Sequence, residues 1–288
     1  MSTSGHKEEV TDQKAIVVAD KFNNDTYQYL LDNKKWVKLN EFPESVDKIC
    51  GFFEINDVFY IVGNKGISAL NENIFKLLFK KHYAWCTSCQ VGNKILVVFS
   101  NYCEYVKSIL FDPVKKQWSD VNIKTERKGF DVVEFRNQVL IVGGLGYDED
   151  GNYEYLNTIQ VYDPIKKVTF LSSIKMIQHR YHHNVIVYNN SMFVFGGCDV
   201  YDQPLNSVEM YSPENNKFVI MAPMKVARSS FACCRVENLV YCVGGWNSGG
   251  FTNAVEVYNL DTNQWWFGTN FPVIAASNLH ACAIYNKL

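Results

Sequence analysis

Apolar and polar residues alternate with a period of two along most of the chain, a pattern typical of β-strands that bury one side. The three clearest runs each end in a glycine pair, at residues 137–144, 190–197 and 238–245. After each pair come a polar loop and a second alternating run that carries a tyrosine. The units follow one another at roughly 50 residues, a spacing typical of repeat architectures. The pattern therefore predicts an all-β fold built from repeats.

Three weaker units precede these, with other residues in place of the glycine pair at 19–20, 63–64 and 99–100. Every unit except the first also has an additional strand, which precedes the strand that ends at the glycine position. Residues 1–13 are polar and unpatterned, so we expect a flexible N-terminal tail followed by one domain over residues 14–288. An unpaired strand from His280 at the other end is expected to complete the first unit, which closes the repeats into a ring with few open sheet edges.

Composition narrows the function classes. The chain of 288 residues is 47% hydrophobic and 20% charged, which is typical of a globular protein. Its net charge of -2 argues against a nucleic-acid or anionic-membrane surface, since either would need an excess of basic residues. No apolar run is long enough to span a membrane, and no secretory signal is recognised. The odd number of cysteines, 9, favours free thiols and a cytoplasmic location.

The repeat resembles the kelch repeat. The resemblance rests on the three glycine pairs, on an arginine and a histidine three apart at Arg180 and His183, and on repeated aromatic positions. The aromatic positions are Tyr162, Tyr211, Tyr258, Trp36, Trp118, Phe218 and Trp265. The resemblance implies a six-bladed kelch β-propeller whose first blade is closed by the C-terminal strand. Such propellers usually follow BTB and BACK domains in substrate adaptors of cullin-RING ubiquitin ligases. The composition, rich in Asn, Lys and Tyr, would suit a poxviral BTB–kelch protein, or a protozoan or invertebrate one.

Reactive residue types do not form a recognisable catalytic or metal site. Cys86 and Cys89 stand three apart on a strand, so their sulfurs should point to opposite faces and fill space between blades. His183 shares a repeat position with Cys86 and is expected to pack in the same way. The acidic segment 148–152 is interpreted as a solvated turn rather than a calcium loop. We therefore predict no catalytic residue, no metal and no cofactor.

Two sets of loops are expected on one face of the ring, one set after the glycine pairs and one before the innermost strands. Binding residues collect on loops of this kind, and Tyr, Trp and Arg carry much of the binding energy at protein interfaces. The predicted partner-binding residues are Arg127, Arg180, Arg228, Tyr147, Tyr155, Tyr181, Tyr201, Trp246, Phe251, Ser229 and Ser277.

This prediction rests mainly on the arginines, because three of the chain's five arginines occupy one repeat position. In kelch proteins similar to this one, arginine and serine at this position line a pocket that captures acidic peptides. Three guanidinium groups could bind a carboxylate bidentately. The alternative, left open here, is that each arginine binds neighbouring main-chain carbonyls.

The sequence thus predicts a protein-interaction module that binds an acidic or mixed acidic–apolar segment of a partner protein. The interpretation as a cullin-RING adaptor requires a BTB domain that this chain does not contain. The alternatives are a stand-alone kelch protein that binds actin or other cytoskeletal partners and, less well supported, a kelch-type enzyme.

Overall fold

The computed structural model describes residues 15–20, 25–39, 49–56, 58–63, 66–69, 86–100, 108–147, 152–273 and 279–284. The N-terminal half of the chain forms the strands β1 (Ala15–Asp20), β2 (Asp25–Leu30), β3 (Lys35–Lys38), β4 (Ile49–Ile55), β5 (Val58–Gly63), β6 (Gly66–Ala69), β7 (Cys86–Val91), β8 (Lys94–Phe99), β9 (Ser108–Asp112), β10 (Gln117–Val121), β11 (Asp131–Phe135), β12 (Gln138–Val142) and β13 (Leu145–Tyr147).

The C-terminal half forms β14 (Tyr153–Tyr155), β15 (Thr158–Asp163), β16 (Val168–Lys175), β17 (Asn184–Tyr188), β18 (Ser191–Phe195), β19 (Val208–Ser212), β20 (Lys217–Met221), β21 (Ala232–Val236), β22 (Leu239–Val243), β23 (Trp246–Asn247), β24 (Gly250–Phe251), β25 (Val255–Asn259), β26 (Gln264–Phe267) and β27 (His280–Ile284). The predicted tail at 1–13 lies outside the described residues, and so does Ser277.

The sheets are antiparallel blades arranged in a ring, which confirms the all-β propeller. Blade one has the strand order β27-β1-β2-β3, blade three β7-β8-β9-β10, blade four β11-β12-β15-β16, blade five β17-β18-β19-β20 and blade six β21-β22-β25-β26. The innermost strands contact one another in the cyclic order β27, β4, β7, β11, β17, β21 and back to β27. The chain therefore closes on itself.

The structure differs from the prediction of a six-bladed propeller in two respects. Five blades have four strands, whereas the sheet of β4, β5 and β6 in the position of blade two shows three strands among the described residues. Two of the expected loops also form short hairpins, β13–β14 and β23–β24. Alternation over so few residues was too short to be recognised as strand in the sequence.

The closing strand is placed as the sequence predicts. Strand β27 lies antiparallel to β1, from Ala15 opposite Ile284 to Ala19 opposite His280. It also contacts the innermost strands of blades two and six. The C-terminal segment thus joins the first blade and fills the gap between its neighbours.

Among the described residues, six apolar clusters hold the blades together, each shared by two neighbouring blades. The repeated aromatic residues lie in or against these clusters, and in blades one, three, five and six they form ring pairs on adjacent strands. For example, the rings of Tyr258 and Trp265 are 4.7 Å apart, and Trp265 donates a hydrogen bond of 2.8 Å from Nε1 to Ala222 O in blade five. The aromatic repeat therefore wedges neighbouring blades, where large rings bury the most area.

No helix in the described part of the chain is long and apolar enough to cross a membrane.

Candidate partner-binding face

The two sets of loops meet on one face in blades four to six. In each of these blades, the segment before the innermost strand pairs with the segment that follows the glycine pair. The bridges are Lys128 with Leu145, Tyr181 with Cys198, and Ser229 with Trp246. This main-chain pairing fixes the loops to the blade frame, so their side chains are presented from a rigid base.

Each glycine pair lies where the chain turns sharply against the next blade. Gly196 has φ +56° and Gly197 φ +96°, both in the left-handed region. A Cβ on Gly196 would lie 2.6 Å from Arg228 O, which is shorter than any tolerated contact. The Gly197 N–H donates to the same carbonyl at 3.0 Å. The pair therefore brings the main chains of blades five and six into direct contact.

The arginine position is structural, and the prediction that its guanidinium groups contact a partner needs correction. Arg180 and Arg228 have no exposed surface. Arg180 Nη1 donates to Gly196 O at 2.8 Å, and Arg228 Nη1 donates to Gly244 O at 2.8 Å. Each arginine thus binds the carbonyl of a glycine in its own blade, which is the alternative that the sequence left open.

Arg127 repeats this arrangement in blade four. It is 7% exposed, and its Nη1 donates to Gly143 O at 3.1 Å and to Thr158 O at 2.7 Å. Burial lowers the pKa of its guanidinium to about 10, so it stays protonated at neutral pH. Ser229, at the position after the blade-six arginine, is buried at 3% exposure. Neither residue offers a surface to a partner.

Sequence reasoning missed the carboxylates that neutralise two of the arginines. Glu209 Oε1 lies 2.6 Å from Arg180 Nη2, and Glu256 Oε1 lies 2.7 Å from Arg228 Nη2, with all four side chains fully buried. The signal was present, because both glutamates stand two residues before the repeated tyrosine of the third strand of their blade. Blade four has Gln160 there, which donates instead to Lys124 O.

The aromatic residues of the prediction do lie on the loop face. Tyr201 is 78% exposed, Tyr147 and Phe251 are each 46% exposed, and Trp246 is half-buried. Tyr153, which the prediction omitted, is 50% exposed, and its ring lies 5.4 Å from that of Tyr147 across the β13–β14 hairpin.

Tyr155 and Tyr181 meet between blades four and five, with ring centroids 5.7 Å apart. Their hydroxyls donate to the same atom, Asp202 Oδ1, at 2.8 Å and 2.9 Å. The hydrogen bond to Asp202 raises the pKa of Tyr155, and burial together with Asp202 raises that of Tyr181. Both hydroxyls are therefore protonated donors at neutral pH.

Cys86 and Cys89 in the innermost strand of blade three, and His183 just before that of blade five, are packing groups. Cys86 packs in the cluster between blades two and three, whereas Cys89 lies in the cluster between blades three and four. Their sulfurs therefore point to opposite faces of the strand, as predicted. Burial lowers the pKa of His183 well below its ordinary value, so this imidazole is neutral. Within the described ranges, no group of three His, Cys, Asp or Glu side chains could hold a metal ion.

The sequence is similar to known kelch-repeat proteins. A family model described as the KLHDC2/KLHL20/DRC7 Kelch-repeats domain matches residues 129–287. Kelch-like protein 26 of Danio rerio is 29% identical over 167 residues, covering 56% of this chain and 27% of the relative. Kelch-like protein 40 of Xenopus tropicalis is 28% identical over 163 residues, covering 56% of this chain and 26% of the relative.

Among solved structures, one titled "Structure of YjhT" superposes with a TM-score of 0.58 over 67% of each chain. Its sequence identity of 13% supports the fold alone. The match to the two Kelch-like relatives spans about a quarter of their length.

Proposed function

The chain belongs to the kelch-repeat family whose model it matches over residues 129–287, and on this premise we propose that it is the substrate-recruiting domain of a BTB–kelch adaptor. In this role the propeller binds partner proteins through the loops of one face, and a BTB domain outside this chain contacts a cullin-RING ubiquitin ligase. The Kelch-like relatives support the proposal, because each matches this chain over 56% of its length.

One observation carries the interaction role. Tyr147, Tyr153, Tyr201 and Phe251 are 46% to 78% exposed on a single face, although their loops are fixed to a rigid frame. Ordered aromatic side chains offer a large contact area at a low entropic cost, and they are enriched at the centres of protein interfaces. A face with this composition is suited to binding a protein.

Affinity capture with the propeller as bait tests this role. The Tyr201→Ala plus Phe251→Ala double variant should lose the specific partners that the wild-type chain retains. The matched control is Val114→Ala plus Ile165→Ala, which removes two side chains that are 71% and 86% exposed on turns away from the loop face. If the control loses the partners and the loop-face variant retains them, the proposed face is wrong.

The link to the ligase needs the full gene product. Cullin and RING subunits should co-purify with it from its own cells, and the captured partner should be ubiquitylated in their presence. If partners are captured but no cullin co-purifies, the chain acts as a stand-alone kelch protein. Co-sedimentation with actin filaments would then identify the cytoskeletal alternative.

A further inference from the structure

Four tyrosines from two blades form one continuous surface, here called the tyrosine face. Tyr147, Tyr153 and Tyr155 lie on the same side of the β13–β14 hairpin, because Tyr147 pairs with Tyr153 and Tyr155 is two residues further along. Tyr181 joins them from the start of blade five through its ring contact with Tyr155. The surface is therefore aromatic from the hairpin to the next blade.

A fixed carboxylate borders the tyrosine face. Asp202 is exposed, and its Oδ1 accepts both tyrosine hydroxyls, from Tyr155 and Tyr181. Its main chain is held in a tight turn, with φ +58° and a hydrogen bond of 3.1 Å from Asp202 N to Asp199 O. The carboxylate is thus oriented before any partner arrives. Among the residues that the structure describes, none donates a hydrogen bond to Oδ2.

No ion pair joins Asp202 to a lysine or arginine in the described part of the chain. The arginines of the repeat cannot act as counter-ions for the Asp202 carboxylate, because Arg180 is buried against Glu209, and Arg228 is buried against Glu256. The same turn carries a second carboxylate, Asp199, which accepts main-chain hydrogen bonds from Tyr201 and Gln203. The face is therefore aromatic and acidic.

From this geometry we infer that the tyrosine face and Asp202 bind an arginine side chain in a basic segment of the partner protein. A guanidinium group stacks on tyrosine rings and binds a carboxylate through its planar N–H groups, so one arginine satisfies both features. This partner has the opposite charge to the acidic segment that the sequence predicted. The inference deepens the proposed function and depends on it, since it names the chemistry recognised by the same face.

Selection from a random dodecapeptide phage library on the immobilised propeller tests the inference. The selected peptides should contain arginine, and replacing that arginine by glutamine should weaken binding at least tenfold. Asp202→Asn should weaken the same peptides at least tenfold, because it removes the charge but keeps the side-chain shape. Tyr153→Ala, at a half-exposed position, should also weaken them.

The matched control is Asp261→Asn. Asp261 also accepts a tyrosine hydroxyl, from Tyr188 at 3.0 Å, but it lies in the turn between β25 and β26, at the other end of the blades. This variant should leave peptide binding unchanged, and thermal melting should show that both asparagine variants are folded.

The outcomes separate the inference from the proposed function. If the selected peptides are acidic, lack arginine or are unaffected by Asp202→Asn, the inference is wrong. If such peptides still depend on Tyr201 and Phe251, the loop face remains the binding site and the proposed function stands. If no loop-face substitution changes the binding of any selected peptide, both are wrong.

Discussion

The guanidinium of Arg180 and the carboxylate of Glu209 are joined at 2.6 Å inside blade five, and neither side chain has any exposed surface. Glu209 also accepts the main-chain N–H groups of Ile177 and Gln178, at 2.6 Å and 3.0 Å. The pair therefore connects the segment that enters blade five, the glycine turn and the third strand of the blade. Blade six repeats it with Arg228 and Glu256.

Substituting Glu209→Gln should destabilise the propeller by about 3–5 kcal/mol, because it leaves a buried guanidinium without its counter-charge. Glu256→Gln should cost a similar amount. Urea denaturation followed by tryptophan fluorescence measures both, and Glu214→Gln, on an exposed turn, serves as the control with less than about 0.5 kcal/mol of change. Equal midpoints for Glu209→Gln and Glu214→Gln would show that the buried pair contributes nothing.

The glycine turn can be tested with two glycines that have the same φ. Gly196 and Gly92 both have φ +56°, but a Cβ would meet Arg228 O at 2.6 Å in the first and nothing within 4 Å in the second. Gly92→Ala should cost about 1 kcal/mol from backbone strain alone. Gly196→Ala should cost about 2–4 kcal/mol, because the clash between blades is added to the strain. Similar denaturation midpoints for the two variants would contradict the close approach of the blades.

The frame of the fold was predictable because each repeat carries its own evidence. The closing strand followed from counting strands, since the first unit lacked one and the chain ended with one spare. The aromatic positions were also predictable, because Tyr258 and Trp265 recur at the same places in other units and lie opposite each other in the structure. Repetition turns weak local signals into a consistent pattern.

The candidate site was less predictable, because exposure depends on contacts distant in sequence. Arg180 looks like a loop residue until Glu209, in the third strand of the same blade, is placed against it. Asp202 has no motif, and its importance depends on Tyr155, which another blade contributes. The sequence predicted that the loop face is rich in aromatic residues. The charge of this face could not be predicted, because it depends on which arginines are buried.

Stability should depend on pH through Asp131, on the innermost strand of blade four. Its carboxylate accepts N–H groups from Val132 and from Val185 in blade five, yet burial raises its pKa from 3.8 to about 6. The folded chain therefore holds this proton more tightly than the unfolded chain. The stabilisation is full below about pH 4 and is lost as the pH rises through 6, with a size of about 3 kcal/mol.

The measurement compares the wild type with Asp131→Asn, so that all other carboxyl groups cancel. The free energy of unfolding of the wild type, relative to the variant, should fall between pH 4 and pH 7. Asp112 has a lowered pKa because the Lys115 N–H binds its carboxylate, so Asp112→Asn should give the opposite slope at acidic pH. A difference between wild type and Asp131→Asn that stays constant with pH would contradict the raised pKa.

Ring closure by β27 gives the last prediction. Deleting residues 281–288 removes four of the five residue pairs between β27 and β1, and it exposes the edge of β1 together with the apolar sides of blades two and six. An open edge of this kind pairs readily with other chains. The truncated protein should therefore aggregate or melt well below the wild type, as seen by size-exclusion chromatography and thermal denaturation.

Deleting only residues 285–288 keeps all five pairs and should leave a monodisperse protein with a nearly unchanged melting temperature. If the longer deletion melts like the shorter one, the C-terminal strand does not close the ring.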